Sequence, residues 1–260
     1  MTKLSATVIT FNEEEKIGRC LQSLKNIADE IVVVDSLSTD RTKEICLGHQ
    51  VTFIEQSFLG YIEQKNFALS KASHLQVICL DADEALSDEL KRSILLEKEK
   101  GFPASAYTMN RLNYYCGQWI KHGTYYPDRK LRLFTRSKGK WGGQNPHDKI
   151  MMEQGVTVQQ LEGDLLHYTY RSVKEHRHQM ERFSTIAAKA LFDKGKPASW
   201  FKLAINPAWA FMKGYIIKGG FLDGKAGFRI ARYTALQSYW KYLKLIRLYK
   251  EKNKSNAADV

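Results

Sequence analysis

Two carboxylates two positions apart, Asp81 and Asp83, close the apolar run Val77-Ile-Cys-Leu80. Just past a strand, such a pair can leave the turn on one side, and hard oxygen ligands suit Mg²⁺ or Mn²⁺ bridging to a diphosphate. A metal there neutralises the charge of a departing nucleoside diphosphate. The plain alternative is a solvated loop with a helix-capping acid. Asp35 ends a second apolar run, Ile31–Val34, and opens the hydroxyl-rich Ser36-Leu-Ser-Thr-Asp40. Its carboxylate can accept a hydrogen bond from the N3–H of uracil, a donor cytosine lacks. N-capping would account for Thr39 or Asp40, whereas Asp35 sits too early for that cap. Thr10, Asn12 and Glu13, in Thr10-Phe-Asn-Glu-Glu14, stand where a base and ribose could be lined, and Asn12 is equally a helix cap.

These residues need strand ends to hold them. Leu4–Thr10, Ile31–Val34, Val51–Glu55 and Val77–Leu80 read as strands, and helical periodicity follows each of them: from Ile17, from about Asp40, over Tyr61–Ala72 and over Ser87–Lys100. Asn12 and Glu15 have capping-box spacing. Such alternation implies right-handed βαβ units, and open parallel sheets bind ligands beyond their carboxyl ends. No Gly-rich loop follows the first strand, which argues against a dinucleotide fold and against a triphosphate-wrapping loop. Ala106–Tyr115, Leu131–Thr135, Lys149–Met152 and Thr157–Leu161 then read as strands of an antiparallel extension, before a helix over Ser172–Lys194.

The order Thr-Phe-Asn-Glu-Glu14, Asp35-Ser-Leu-Ser-Thr-Asp40, Gln64-Lys-Asn66 and Leu80-Asp-Ala-Asp-Glu84 resembles the family 2 glycosyltransferases. The likeness continues through Arg132-Leu-Phe134 and His147-Asp148, most like the lipopolysaccharide core glucosyltransferase branch. It implies an α/β GT-A fold, a Rossmann-like three-layer sandwich with a mostly parallel sheet, and inversion at the anomeric centre. It also implies that Asp35 contacts uracil, that Lys65 and Asp81 help hold the nucleotide, and that Asp83 binds the metal. Inversion needs a carboxylate to take the acceptor's proton. Asp148 is the candidate, where the family usually has His-Glu; Asp128 and Asp164 are next in line. His167 could complete the metal site, as a late histidine does in related enzymes, or be a structural residue. Arg129 and Arg132 would grip the diphosphate or form surface ion pairs. Trp119, Tyr125, Tyr126 and Trp141 could pack on a sugar ring, core packing being the default for at least two.

The formal net charge is +12, and residues 201–260 carry 12 Lys and Arg against three acids. From Phe228, positions 231, 235, 239, 242, 243 and 246 form an apolar face with bases off it, which suits an anionic membrane surface or docking onto the catalytic domain. No nucleic-acid motif accompanies the charge. Cys20, Cys46, Cys79 and Cys116 are scattered without metal spacing, as in a reduced cytosolic protein. Met1 leads straight into a strand, unlike a signal peptide, and Leu203–Leu222 is too interrupted to span a membrane. The expectation is a catalytic domain over residues 1–198, with a nucleotide-sugar half (1–100) and an acceptor half (101–198), and a helical extension over 199–260. It would move a hexose, glucose by resemblance, from a UDP-sugar to a lipid-linked saccharide such as the lipopolysaccharide inner core. The place expected is the inner face of the cytoplasmic membrane. Rival readings are a GT-A enzyme for another envelope glycan and a non-catalytic nucleotide- or nucleic-acid-binding protein.

Overall fold

In a computed structural model describing residues 2–144 and 147–258, Leu4, Ala6 and Val8 alternate along strand β1 (Leu4–Thr10) and are buried in one apolar layer. Ile17, Leu21 and Leu24 of helix α1 (Ile17–Leu24) fill that layer. Each such side chain contributes about 1.5–3 kcal/mol by leaving water. The same layer takes Val33 of β2 (Glu30–Asp35) and Cys46 of α2 (Thr42–Leu47). After β3 (Thr52–Glu55), helix α3 (Tyr61–Lys71) covers the other face, where Ala68 packs on Val32 and Val34. In β4 (Gln76–Asp81), Ile78 and Leu80 face the α1 layer while Val77 and Cys79 meet Leu69 of α3. A strand's period of two therefore puts apolar groups on both faces, as a sheet between helix layers requires.

Strand β5 (Glu84–Leu86) and helix α4 (Asp88–Glu99), capped by Ser87, follow. Next come β6 (Ala106–Tyr115), β7 (Gln118–Ile120), β8 (Arg129–Thr135) and β11 (Val158–Tyr170), with β9 (Gly139–Gln144) and β10 (His147–Met152) forming a separate hairpin. The main sheet runs β3-β2-β1-β4-β8-β6-β11-β5. It is parallel across β3, β2, β1 and β4, and antiparallel where β8 joins β4 and β6, and where β5 joins β11. The last strand is longer than the expected Thr157–Leu161. Gly163, at φ 85, lies inside it, and a Cβ there would stand 2.3 Å from the backbone nitrogen of Leu90. This glycine is a point of close approach to α4.

Contacts divide the chain into two units, Met1–Leu112 with Asp128–Tyr168 and Asn113–Pro127 with Thr169–Val260. In the second, α5 (Val173–Asp193) opens on a full capping box of Ser172 and Glu175, and α6 (Trp200–Met212) and α7 (Gly224–Ala258) follow. Helix α5, expected in the catalytic domain of residues 1–198, belongs to this second unit. Its core gathers Tyr115, Ile120, Tyr170, Met180, Ala226 and Ile230. On the face read from Phe228, Ala231 and Ile246 are buried, and Lys244 Nζ donates to the Glu181 carbonyl and the Ser184 and Thr185 hydroxyls of α5. Ala231 and Ile246 are thus consumed in packing α7 on its neighbours, while Phe228 and Tyr239 of the same face stay exposed.

Candidate active site

The register of the parallel strands sets Thr10 opposite Asp35 and Ile9 opposite Asp81, so the carboxyl ends of β1, β2 and β4 finish level. The three loops that follow are stitched by side chains. Asp35, itself buried, accepts from Ser38 N (2.7 Å) and Ser38 Oγ (2.5 Å), holding Leu37 between them at φ 65. The turn-forming role assigned by sequence to Thr39 or Asp40 falls in part to Asp35. Asn12, at φ 52, caps no helix: α1 begins at Ile17, and Asn12 Oδ1 accepts from Thr39 N at 2.8 Å. Glu13 N donates to Thr42 Oγ1, and Lys16 pairs with the Glu13 carboxylate at 3.0 Å. Thr10 Oγ1 is buried with no hydrogen-bond partner among the described residues. Such an orphan polar atom at a strand end calls for a ligand or water.

Beyond β4 the charges form a chain. Lys65 Nζ, on α3, lies 2.9 Å from Asp81 Oδ1 and 2.8 Å from Asp148 Oδ2 on β10. Its ammonium stands over the Trp141 ring, 4.4 Å from the centroid. Asn66, the next residue of α3, exchanges two hydrogen bonds with the Trp141 backbone and so fixes hairpin β9–β10. Arg132 of β8 donates to Asp81 Oδ2 at 3.1 Å and to Glu84 Oε1 at 2.7 Å, and Glu84 Oε2 accepts from Asp81 N. Burial works against the charge of Lys65, yet Asp81 and Asp148 outweigh it and raise its pKa above the ordinary lysine value. Burial likewise opposes ionisation of Asp81, but Lys65 and Arg132 hold its carboxyl well below the usual range. Arg132 is raised despite its burial, chiefly by Glu84 and then Asp81.

Asp83 faces a different partner. Its Oδ2 lies 3.2 Å from His167 Nε2, and the Asp83 carbonyl accepts from Tyr168 N, so β11 delivers the imidazole to the loop after β4. Burial raises and His167 lowers the Asp83 pKa, with the net shift downward. Among the described residues, no three His, Cys, Asp or Glu side chains gather as a complete metal site. Asp83 and His167 nevertheless offer one carboxylate oxygen and one imidazole nitrogen on partly exposed side chains. That donor pair fits Mg²⁺ or Mn²⁺ whose remaining positions belong to diphosphate oxygens and water. Asp81 is engaged by two cations and is not part of that pair.

Of the residues singled out by sequence, Lys65, Asp81 and Asp148 meet in one cluster and Asp83 meets His167. Arg132 is neither a surface residue nor open to a diphosphate, being buried between Asp81 and Glu84. Asp128 is held by Arg111 and Lys130, which leaves it poorly placed as a base. The side chain of His147 lies outside the described residues. Trp141 belongs to the first unit, whereas Trp119, Tyr125 and Tyr126 belong to the second. Sequence reasoning missed Glu84 as the anchor of Arg132 and Trp141 as the seat of Lys65. The signal for Glu84 was its place three residues after Asp81 in the same acidic run.

The model for Glycosyl transferase family 2 matches residues 5–156. A glycosyltransferase of Rickettsia typhi is 32% identical over 269 residues, spanning 100% of this chain and 92% of its own length. The lipopolysaccharide core biosynthesis glycosyltransferase LpsC of Rhizobium meliloti is 30% identical over 262 residues, covering 98% of this chain and 96% of its own. Among solved structures, the mannosyltransferase PcManGT of Pyrobaculum calidifontis, in complex with GDP-Man and Mn²⁺, matches with a TM-score of 0.52 at 16% identity. That match covers 94% of this chain and 87% of the other.

Proposed function

Given that the chain belongs to glycosyl transferase family 2, we propose that it moves a hexose, glucose by preference, from a UDP-sugar to a hydroxyl of a lipid-linked saccharide. It is a glycosyltransferase of the GT-A fold. The observation that carries the finer reading is the pair of linked contacts at the end of β4: Lys65 between Asp81 and Asp148, and His167 against Asp83. The name of the LpsC relative supports the lipopolysaccharide core as acceptor.

Uracil would lie at Asp35, whose carboxylate keeps lone pairs for the N3–H beyond those used by Ser38. The Thr10 hydroxyl, without a partner among the described residues, and the loop at Asn12 and Glu13 would line the nucleoside. Asp83 and His167 would hold Mg²⁺ or Mn²⁺, which when bound supplies Lewis-acid stabilisation to the departing diphosphate. Lys65 and Asp81 orient the nucleotide side of the pocket, while Glu84 and Arg132 fix Asp81. Asp148, one ammonium away from Asp81, takes the acceptor hydroxyl's proton as the new glycosidic bond forms on the face opposite the diphosphate. The work is done at the cytoplasmic membrane face, where such acceptors reside.

A thermal-shift panel of UDP-sugars with and without Mn²⁺ tests this reading, because a ligand bound only by the folded state raises apparent stability. One UDP-hexose should raise the melting temperature, more so with Mn²⁺. A flat panel would remove the UDP-sugar assignment.

A further inference from the structure

Along α6, Phe201, Ile205, Trp209 and Met212 recur at intervals of four, four and three residues, which places them on one helical face. Each is between 47% and 70% exposed, while Leu203 and Gly214, toward the other side, are buried. Four large apolar side chains facing water together form a patch that monomeric proteins rarely leave open. Lys202 and Lys213 flank the stripe and are themselves exposed. The turn that follows continues the pattern, since Phe221 and Leu222 are 49% and 61% exposed.

The turn is also closely packed and free of exposed negative charge. A Cβ on Gly227 would stand 1.7 Å from the Gly220 carbonyl oxygen, so the two backbones touch where only glycine fits. The lone acid between residues 199 and 250 is Asp223. Its carboxylate accepts from the backbone N–H of Lys121 and His122 and pairs with His122 Nδ1 at 3.0 Å. What this segment shows to solvent is therefore apolar and cationic. No described helix is long and apolar enough to cross a membrane.

We propose that α6 and the turn after it lie in the head-group region of an anionic phospholipid leaflet, with Phe201, Ile205, Trp209 and Met212 reaching the acyl boundary. Apolar insertion with flanking lysines is the chemistry of helices that lie on a bilayer. The inference rests on the reading of a membrane-borne acceptor and deepens it. It assigns the contact to α6, whose stripe is more exposed than the α7 face, where Ala231 and Ile246 are buried and Phe228 and Tyr239 are 44% and 40% exposed.

The test is sedimentation of the full chain with phosphatidylcholine vesicles and with vesicles containing phosphatidylglycerol, with hydrolysis of the UDP-sugar measured in the same samples. The chain should bind the anionic vesicles. F201S/W209S should lower that partitioning by about tenfold or more, and K202E/K213E should lower it on anionic vesicles only. Both variants change exposed side chains and should keep the circular dichroism and donor hydrolysis of the parent. Failure of the full chain to bind, equal binding by F201S/W209S, or a stripe variant that only breaks a dimer would each overturn the proposal. Vesicle binding without any donor hydrolysis would instead sink the catalytic reading and leave this one standing.

Discussion

The ammonium of Lys65 stands 2.8 Å from Oδ2 of Asp148, joining α3 to the β9–β10 hairpin across 83 positions of sequence. Without Lys65 the half-buried carboxylates of Asp81 and Asp148 would face each other with one fewer cation between them. The candidate base is thus positioned by the same residue that pairs with Asp81 at the end of β4, and disturbing either end should be felt at the other.

Replacing Lys65 with Met keeps the stem over Trp141 and removes the charge. Breaking a buried pair by deleting one partner costs several kcal/mol, and Arg132 remains on Asp81, so a loss of about 3 kcal/mol is expected. Urea unfolding of K65M checks it. Stability equal to the parent would mean that the Lys65 contacts contribute nothing to the fold.

Asp148→Asn preserves shape and removes basicity. A fall of roughly 10²–10⁴ in kcat, with UDP affinity little changed, is the expected signature of a lost general base. Steady-state transfer kinetics and UDP titration separate the two effects. Undiminished kcat would move the role to another acid.

His176, fully buried, sits among Tyr115, Tyr125, Tyr170 and Tyr233, with Nδ1 3.0 Å from the Tyr115 hydroxyl. Burial lowers its pKa from 6.5 to about 4. The unfolded chain then takes up a proton before the folded one. The associated stability is complete above pH 6.5 and is lost as pH falls toward 4, by up to about 3 kcal/mol. Unfolding of the parent should weaken more steeply between pH 7 and pH 5 than that of H176F. Parallel pH profiles would contradict the assignment.

Deleting the chain from Ala226 onward should unfold the second unit, because Ala226 and Ile230 lie in its core and α7 supplies Lys244 to α5. Loss of the near-ultraviolet signal of its tyrosines is the readout. A truncated chain that keeps it would show α7 to be dispensable.

Most of the fold was legible where local chemistry agrees with tertiary demand. Leu4–Thr10 is an apolar run ended by a polar loop, and the strand has those bounds. Ser172 with Glu175 marks the start of α5 by the capping box found there. Reading failed where the reason for a residue lies far away in sequence. The strand expected over Thr157–Leu161 runs on through Gly163, where α4 presses on the backbone, and Gly139–Gln144, with three glycines, shows no alternation to mark β9. Asn12 has capping-box spacing but is recruited by Thr39 of the next loop. The acids at the strand ends were visible as types. Their partners were not, since Arg132 meets Glu84 from 48 residues away and no local pattern encodes that.

The most direct test of the central claim is release of UDP from UDP-glucose by the parent and by Asp83→Ala, each with Mn²⁺ and with a chelator. Turnover is expected from the parent only with the metal, and none from Asp83→Ala, whose melting temperature without ligand should stay near the parent's. Near-normal turnover by Asp83→Ala, or by the parent in chelator, would contradict it.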